Sequence, residues 1–234
     1  PHAMQWPYGT QAALWAWRTL YFTPAGTAST SPAIQDSPIG RGQYLVQGLG
    51  HCTECHAQRN ALGGLTRNTQ VLGGVIPGSQ WYAPSLYRSE ESSVASWATD
   101  DIQAFLRTGL TPRTIASGPM AEVVLHGTQY LTEDDATAMA SYLKTLGPAP
   151  ATASAATASK TPAKSVHPNG RGAALYDQHC AQCHGNAGEG YAKAYPSLAG
   201  NRAVNMSNTS NLALKVLYGG FGPATTGNPR PFGM

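Results

Sequence analysis

All four cysteines of the chain fall in two pentads of one pattern, Cys52-Thr53-Glu54-Cys55-His56 and Cys180-Ala181-Gln182-Cys183-His184. Cys-x-x-Cys-His is the attachment signature of a c-type haem. The spacing has a mechanical reason. Two thiols three positions apart lie about one helical turn from each other, so both can bond the vinyl-derived carbons on one porphyrin edge. The adjacent His then reaches under the ring and coordinates the iron. Other uses of the pattern fit less well. A zinc site needs a second ligand pair within roughly 12–20 residues, whereas 125 positions separate Cys55 from Cys180. A redox dithiol needs no following His and would not be expected twice. Two structural disulfides would fit an exported protein, yet all four Cys fall in these two pentads and none is left over. Two covalent haem c groups are therefore expected, on Cys52 and Cys55 and on Cys180 and Cys183, with His56 and His184 as iron ligands.

The sixth ligand decides what such an iron does, because Met/His ligation raises the potential and blocks small-molecule chemistry. Of the five methionines, Met139 falls on the apolar face of a helical pattern and reads as core, and Met4 precedes both pentads. Met120 follows His56 by 64 positions and Met234 follows His184 by 50. Pro and Gly beside each suit a loop swung across the haem face rather than a helix. Met120 and Met234 are the favoured ligands, with His126 the rival of the first and Met206 of the second.

Helical patterns are set to hold these residues. Ile39 to Leu49 reads as a helix leading into the first pentad. A second runs from Thr99-Asp100-Asp101 to Thr108 and is closed by Gly109. A third starts at Thr132, where Thr132 and Asp135 resemble a capping box, presents Ala136, Met139, Ala140 and Leu143 on one face, and ends at Gly147-Pro148. The second pentad repeats the first in miniature: Arg41-Gly42, His51-Cys52 and Pro84-Ser85-Leu86 recur as Arg171-Gly172, His179-Cys180 and Pro196-Ser197-Leu198. Ser210 to Gly219 parallels Asp100 to Gly109, but nothing corresponds to the 132–146 helix. The fold class expected is all-α, two tandem cytochrome c domains over 38–147 and 169–234. An Ala/Pro/Ser/Thr-rich linker over 148–168 joins them, and His167 in it reads as solvated. Residues 1–37 form an N-terminal connector. Within it Gln11 to Phe22 is a helical run ending before Pro24, whose aromatics suit a membrane interface or partner groove, or packing on the following domain.

Only 12% of the 234 residues are charged, with 26 Gly and 17 Pro. That suits small, loop-rich domains in which a porphyrin supplies much of the apolar core. Lys and Arg are scattered, so nucleic-acid binding is not expected. No run approaches the 18 or more apolar residues of a membrane span. The chain begins at Pro1 without an export signal and reads as processed or partial, since haem c attachment implies maturation in the periplasm.

The chain resembles the multihaem cytochrome c subunits of bacterial membrane-bound dehydrogenases for alcohols, aldehydes, fructose or gluconate. The resemblance covers about 35–234. It rests on Arg41 to Val46, His51 to His56, Trp81-Tyr82-Ala83-Pro84, Ser117 to Ala121 and Leu131 to Asp135. It implies that Pro84 and Pro196 offer their carbonyls to the proximal His Nδ1–H, fixing tautomer and ring orientation. It also implies a third haem domain before Trp6 and a closing helix after Met234, so the chain is expected to be a fragment.

These readings converge on a dihaem electron carrier rather than an enzyme. It would take electrons from the catalytic subunit of a periplasmic dehydrogenase and deliver them to quinone or a terminal oxidase. Its expected place is the outer face of the cytoplasmic membrane, with Trp6 to Phe22 as a possible interface contact. A dihaem peroxidase, a thiosulfate-oxidising cytochrome and a haem gas sensor are the rivals. Each of them needs an open or displaceable distal ligand.

Overall fold

The structure, a computed structural model, describes residues 6–7, 9–22, 37–65, 71–88, 90–92, 94–112, 114–147, 170–191 and 194–234. The expected linker, His167, Met4, Pro24 and Pro148 lie outside the described residues. The chain is helix-rich: α1 (Gln11–Tyr21), α2 (Pro38–Gln43), α3 (Thr53–His56), α4 (Thr99–Thr108), α5 (Pro119–His126), α6 (Glu133–Thr145), α7 (Arg171–His179), α8 (Ala181–His184), α9 (Arg202–Asn205) and α10 (Ser210–Tyr218). Among the described residues the sheet is confined to β1 (Gly74–Val75) paired antiparallel with β2 (Tyr82–Ala83), Gly74 opposite Ala83.

Helix α6 forms for readable reasons. The Thr132 hydroxyl accepts the Asp135 N–H at 3.1 Å as an N-cap, and three acidic residues occupy the positive first turn. Ala136, Met139, Ala140 and Leu143 are all buried. The reciprocal half of the expected capping box is absent. Asp135 instead accepts from Arg41 Nε and Nη2 at 2.8 and 3.0 Å, tying α6 to α2. The two helices cross closely because Gly42 has no side chain: a Cβ there would lie 2.0 Å from the Ala138 carbonyl oxygen. Leu45, Val46, Val71, Leu86, Val94, Ile102, Leu106 and the α6 face make one core. Helix α4 starts and stops as expected, with Gly109 taking φ 71° to close it.

The expected single helix over 39–49 changes character midway. After Gln43 the chain widens into a π-helix over Tyr44–Leu49, and the Gly50 N–H reaches back to the Leu45 carbonyl at 2.7 Å. Single turns of this kind cluster at functional sites, and this one delivers Cys52, whose N–H bonds the Val46 carbonyl at 3.1 Å.

Helix α1 lies on the loop after the first pentad. Trp17 Nε1 donates to the Leu62 carbonyl at 3.0 Å and Asn60 Nδ2 donates to the Tyr21 hydroxyl at 3.1 Å. Trp15, Leu20 and Phe22 remain exposed. Side chains of residues 202–228 also hydrogen-bond the first segment, residues 37–147. Arg202 donates to the Ser92 carbonyl and Ser96 hydroxyl at 3.1 and 3.3 Å. The Asn211 carboxamide engages Tyr82, and the Thr225 hydroxyl donates to the Thr108 carbonyl at 3.3 Å.

Candidate functional site

Each pentad winds into a single helical turn. The His56 N–H bonds the Cys52 carbonyl at 2.9 Å, and the His184 N–H bonds the Cys180 carbonyl at 2.9 Å. The two thiols of each turn therefore share one side, and all four are free. Arg59 braces the loop after His56 by donating to the Gly63 carbonyl at 2.8 Å and to the Glu54 carboxylate.

The two imidazoles are held alike. His56 Nδ1 lies 2.7 Å from the Pro84 carbonyl and His184 Nδ1 lies 3.1 Å from that of Pro196. A carbonyl can only accept, so Nδ1 carries the proton and the Nε2 lone pair is left for a metal. Burial pushes the His56 pKa down, partly offset by the Pro84 bond, and keeps the ring neutral, the ligating form. Burial also raises the Cys52 thiol, which packs against the core.

The loops bearing the two prolines repeat one another. The buried Ser85 hydroxyl donates to the Val71 carbonyl at 3.0 Å and accepts from the Tyr87 and Arg88 N–H groups. Ser197 likewise donates to the Gly188 and Ala199 carbonyls, each at 3.0 Å. Two further supports escaped sequence reasoning. Glu91, buried, accepts the Ser85 N–H at 2.6 Å and the Tyr82 hydroxyl at 3.1 Å, so a carboxylate secures the Pro84 loop from inside. Burial of the Tyr82 ring, and then the nearby Glu91 carboxylate, raise the Tyr82 pKa. Tyr195 stands edge-on to His184 at 6.0 Å between ring centroids and tilted against Phe232 at 5.3 Å. Its place directly before Pro196 was the available signal. Nothing in the sequence distinguished Glu91 from a solvated acid.

The candidate sixth ligands sit differently from each other. Met120 is in the first turn of α5, not in a loop, because Pro119 occupies the opening of the helix, where its missing N–H costs nothing. Its side chain, partly buried, packs against the core. His126 is on an exposed face of α5, 3.1 Å from Glu122. Met234 lies outside any helix and exchanges two main-chain hydrogen bonds with Gly220, both 3.1 Å. Its side chain is exposed, whereas Met206 is buried in protein and Met139 is core as expected.

The donor set fits covalent haem c: paired free thiols on one turn, and a neutral imidazole with its second nitrogen already committed. Among the described residues no three His, Cys, Asp or Glu side chains gather as a zinc cluster would require.

Comparison with known proteins agrees. The cytochrome c family model matches residues 170–234. The cytochrome c subunit of the quinone-type alcohol dehydrogenase of Gluconobacter oxydans is 35% identical over 100% of this chain and 49% of its own length. The fructose dehydrogenase cytochrome subunit of Gluconobacter japonicus is 32% identical over 92% and 47%. The gluconate 2-dehydrogenase cytochrome c subunit of Pantoea cypripedii is 33% identical over 98% and 54%. The chain thus spans about half the length of these relatives. With the thioether-ready pentads, the committed imidazoles and these relatives together, the chain belongs to the cytochrome c subunits of bacterial alcohol, fructose and gluconate dehydrogenases.

Proposed function

We propose that this chain is a dihaem electron carrier of two tandem cytochrome c domains, 38–147 and 169–234. It accepts single electrons from the catalytic subunit of a periplasmic dehydrogenase and passes them to quinone or a terminal oxidase. One observation carries the reading. The same construction occurs twice: a Cys-x-x-Cys-His turn whose imidazole Nδ1 is held by a downstream proline carbonyl, at 2.7 and 3.1 Å. Bound haem c supplies a one-electron Fe(III)/Fe(II) couple. The chain's own residues attach it through Cys52, Cys55, Cys180 and Cys183, orient the ligating His56 and His184 through Pro84 and Pro196, and shelter the first centre with the core around Met120.

Met120 and Met234 are proposed as the sixth ligands. The core contact of Met120 and the surface pairing of His126 with Glu122 favour Met120. The burial of Met206 among protein atoms, against the open side chain of Met234, favours Met234. Among the described residues no helix is long and apolar enough to cross a membrane. Attachment at the outer face of the cytoplasmic membrane is proposed to involve partner subunits and the exposed aromatics of α1.

The test is direct. Haem-stained denaturing gels with pyridine haemochrome quantitation should return two haems per chain, and a redox titration should return two one-electron waves with Met-ligated ferric spectra. Zinc without covalent porphyrin overturns the reading. A high-spin haem with an open position would move it to the peroxidase or sensor class.

A further inference from the structure

The Asn211 carboxamide takes both main-chain polar groups of a single residue across the seam between the two segments. The Tyr82 N–H donates to Asn211 Oδ1 at 2.9 Å, and Asn211 Nδ2 donates to the Tyr82 carbonyl at 2.7 Å. Tyr82 stands two residues before Pro84, whose carbonyl holds His56 Nδ1 at 2.7 Å. At its other end α10, which carries Asn211, is capped by Gly219, and the next residue, Gly220, exchanges its two main-chain bonds with Met234. Covalent and hydrogen bonds therefore run without a break from the His56 ring through Pro84, Ala83, Tyr82 and Asn211 to the stretch bearing Met234.

We propose that Asn211 is a positioning residue for internal electron exchange, supplying a doubly bonded link between the proximal side of the first centre and the second segment. The inference rests on the two-centre reading above. In the step, one centre loses an electron as the other gains it, with no bond made or broken and no proton moved. Electronic coupling falls far more steeply across a van der Waals gap than along covalent and hydrogen bonds, so a seam closed by two short bonds conducts where a looser one does not. Simple docking does not require this residue. Arg202 on Ser92 and Ser96, and Thr225 on Thr108, already hold the seam at other points. Nor does Asn211 cap its own helix, since the α10 N-terminus has no side-chain cap.

The experiment uses the full chain with both haems attached. Haem-methyl NMR of the half-reduced protein reads the rate at which the two haems exchange an electron, and the visible spectrum reports ligation. Asn211→Leu should slow exchange several-fold with ligation unchanged. Asn211→Asp, which keeps the acceptor for the Tyr82 N–H, should fall between. Thr225→Val, which loosens the same seam at Thr108, away from the Pro84 loop, should leave the rate at the wild-type value. Equal rates in wild type and Asn211→Leu overturn the proposal, as does equal slowing by Thr225→Val. If Asn211→Leu does not load both haems, Asn211→Asp decides alone, and a wild-type rate in it overturns the proposal. A wild-type protein whose haems never exchange removes the two-centre reading itself.

Discussion

Helix α1 divides its aromatics between two jobs, and the division can be measured. Trp17 and Tyr21 face the first segment, with the Trp17 indole on the Leu62 carbonyl at 3.0 Å and the two rings 5.3 Å apart. Trp15 is 72% exposed. Truncating Trp17 removes a hydrogen bond worth ~1 kcal/mol, part of a ring's burial and an aromatic pair worth ~0.5–1.5 kcal/mol. Trp17→Ala should therefore weaken the seat of α1 by about 2–3 kcal/mol, seen as faster amide exchange in Gln11–Tyr21. Trp15→Ala removes no such contact, so stability should stay within about 0.5 kcal/mol. If Trp15 is a central anchor for a partner subunit, its loss should cost about 2 kcal/mol of association, or roughly 30-fold in Kd. Thermal melting beside co-sedimentation with the dehydrogenase separates the two residues. A Trp15→Ala protein that melts early but associates as wild type would refute the docking role of this helix.

Replacing Cys52 and Cys55 with Ala should leave one haem per chain, and replacing Cys180 and Cys183 should leave the other, read by haem stain and pyridine quantitation. Met120→His should keep the first haem six-coordinate while lowering its potential, because imidazole donates more strongly than thioether; an unchanged titration would move the ligand to another residue, His126 first. The Arg41 bond holds the Asp135 carboxyl below its ordinary pKa, so between the two values the unfolded chain binds more protons and stability rises with pH. Both side chains are partly exposed, 38% and 23%, which limits the pair to ~0.5–1 kcal/mol. That contribution is present above about pH 4 and lost as pH falls through the folded value, and Asp135→Asn should flatten this part of an acid melting series.

Local signals were legible where one residue type has one physical use. Gly109 ends α4 because only glycine takes that φ cheaply, and Thr132 starts α6 because its hydroxyl meets an orphan N–H. Asp135 was legible as an acid in a first turn, but its partner lies 94 positions away, and no local pattern distinguishes a capping carboxylate from one reaching another helix. Met120 misled for a similar reason. Proline signals a break inside a helix and a beginning at its first position, and sequence shows only the proline. Glu91 was invisible because its burial depends on the loop folding around it. The two prolines holding His56 and His184 came through resemblance, not spacing.

The two Cys-x-x-Cys-His segments are not equal in how they stand up. The core of eleven buried side chains belongs wholly to the first, between Leu45 and Leu143. In the second, among the described residues, α7 buries nothing and α10 only Leu214, leaving Ala181, Met206 and Pro223 as the other buried apolar side chains. What it buries besides is polar: Thr225 and Asn228, which exchange main-chain hydrogen bonds at 3.1 and 3.0 Å, and His184. With so little apolar burial of their own, these residues draw part of their packing from the first segment. The seam is built for that dependence: Pro223 fills the space over Gly109 so closely that a Cβ there would lie 2.2 Å away, and Gly222 and Gly227 admit Ile115 and Thr108 in the same manner. The stretch leading to Met234 is thereby held partly by residues outside its own segment.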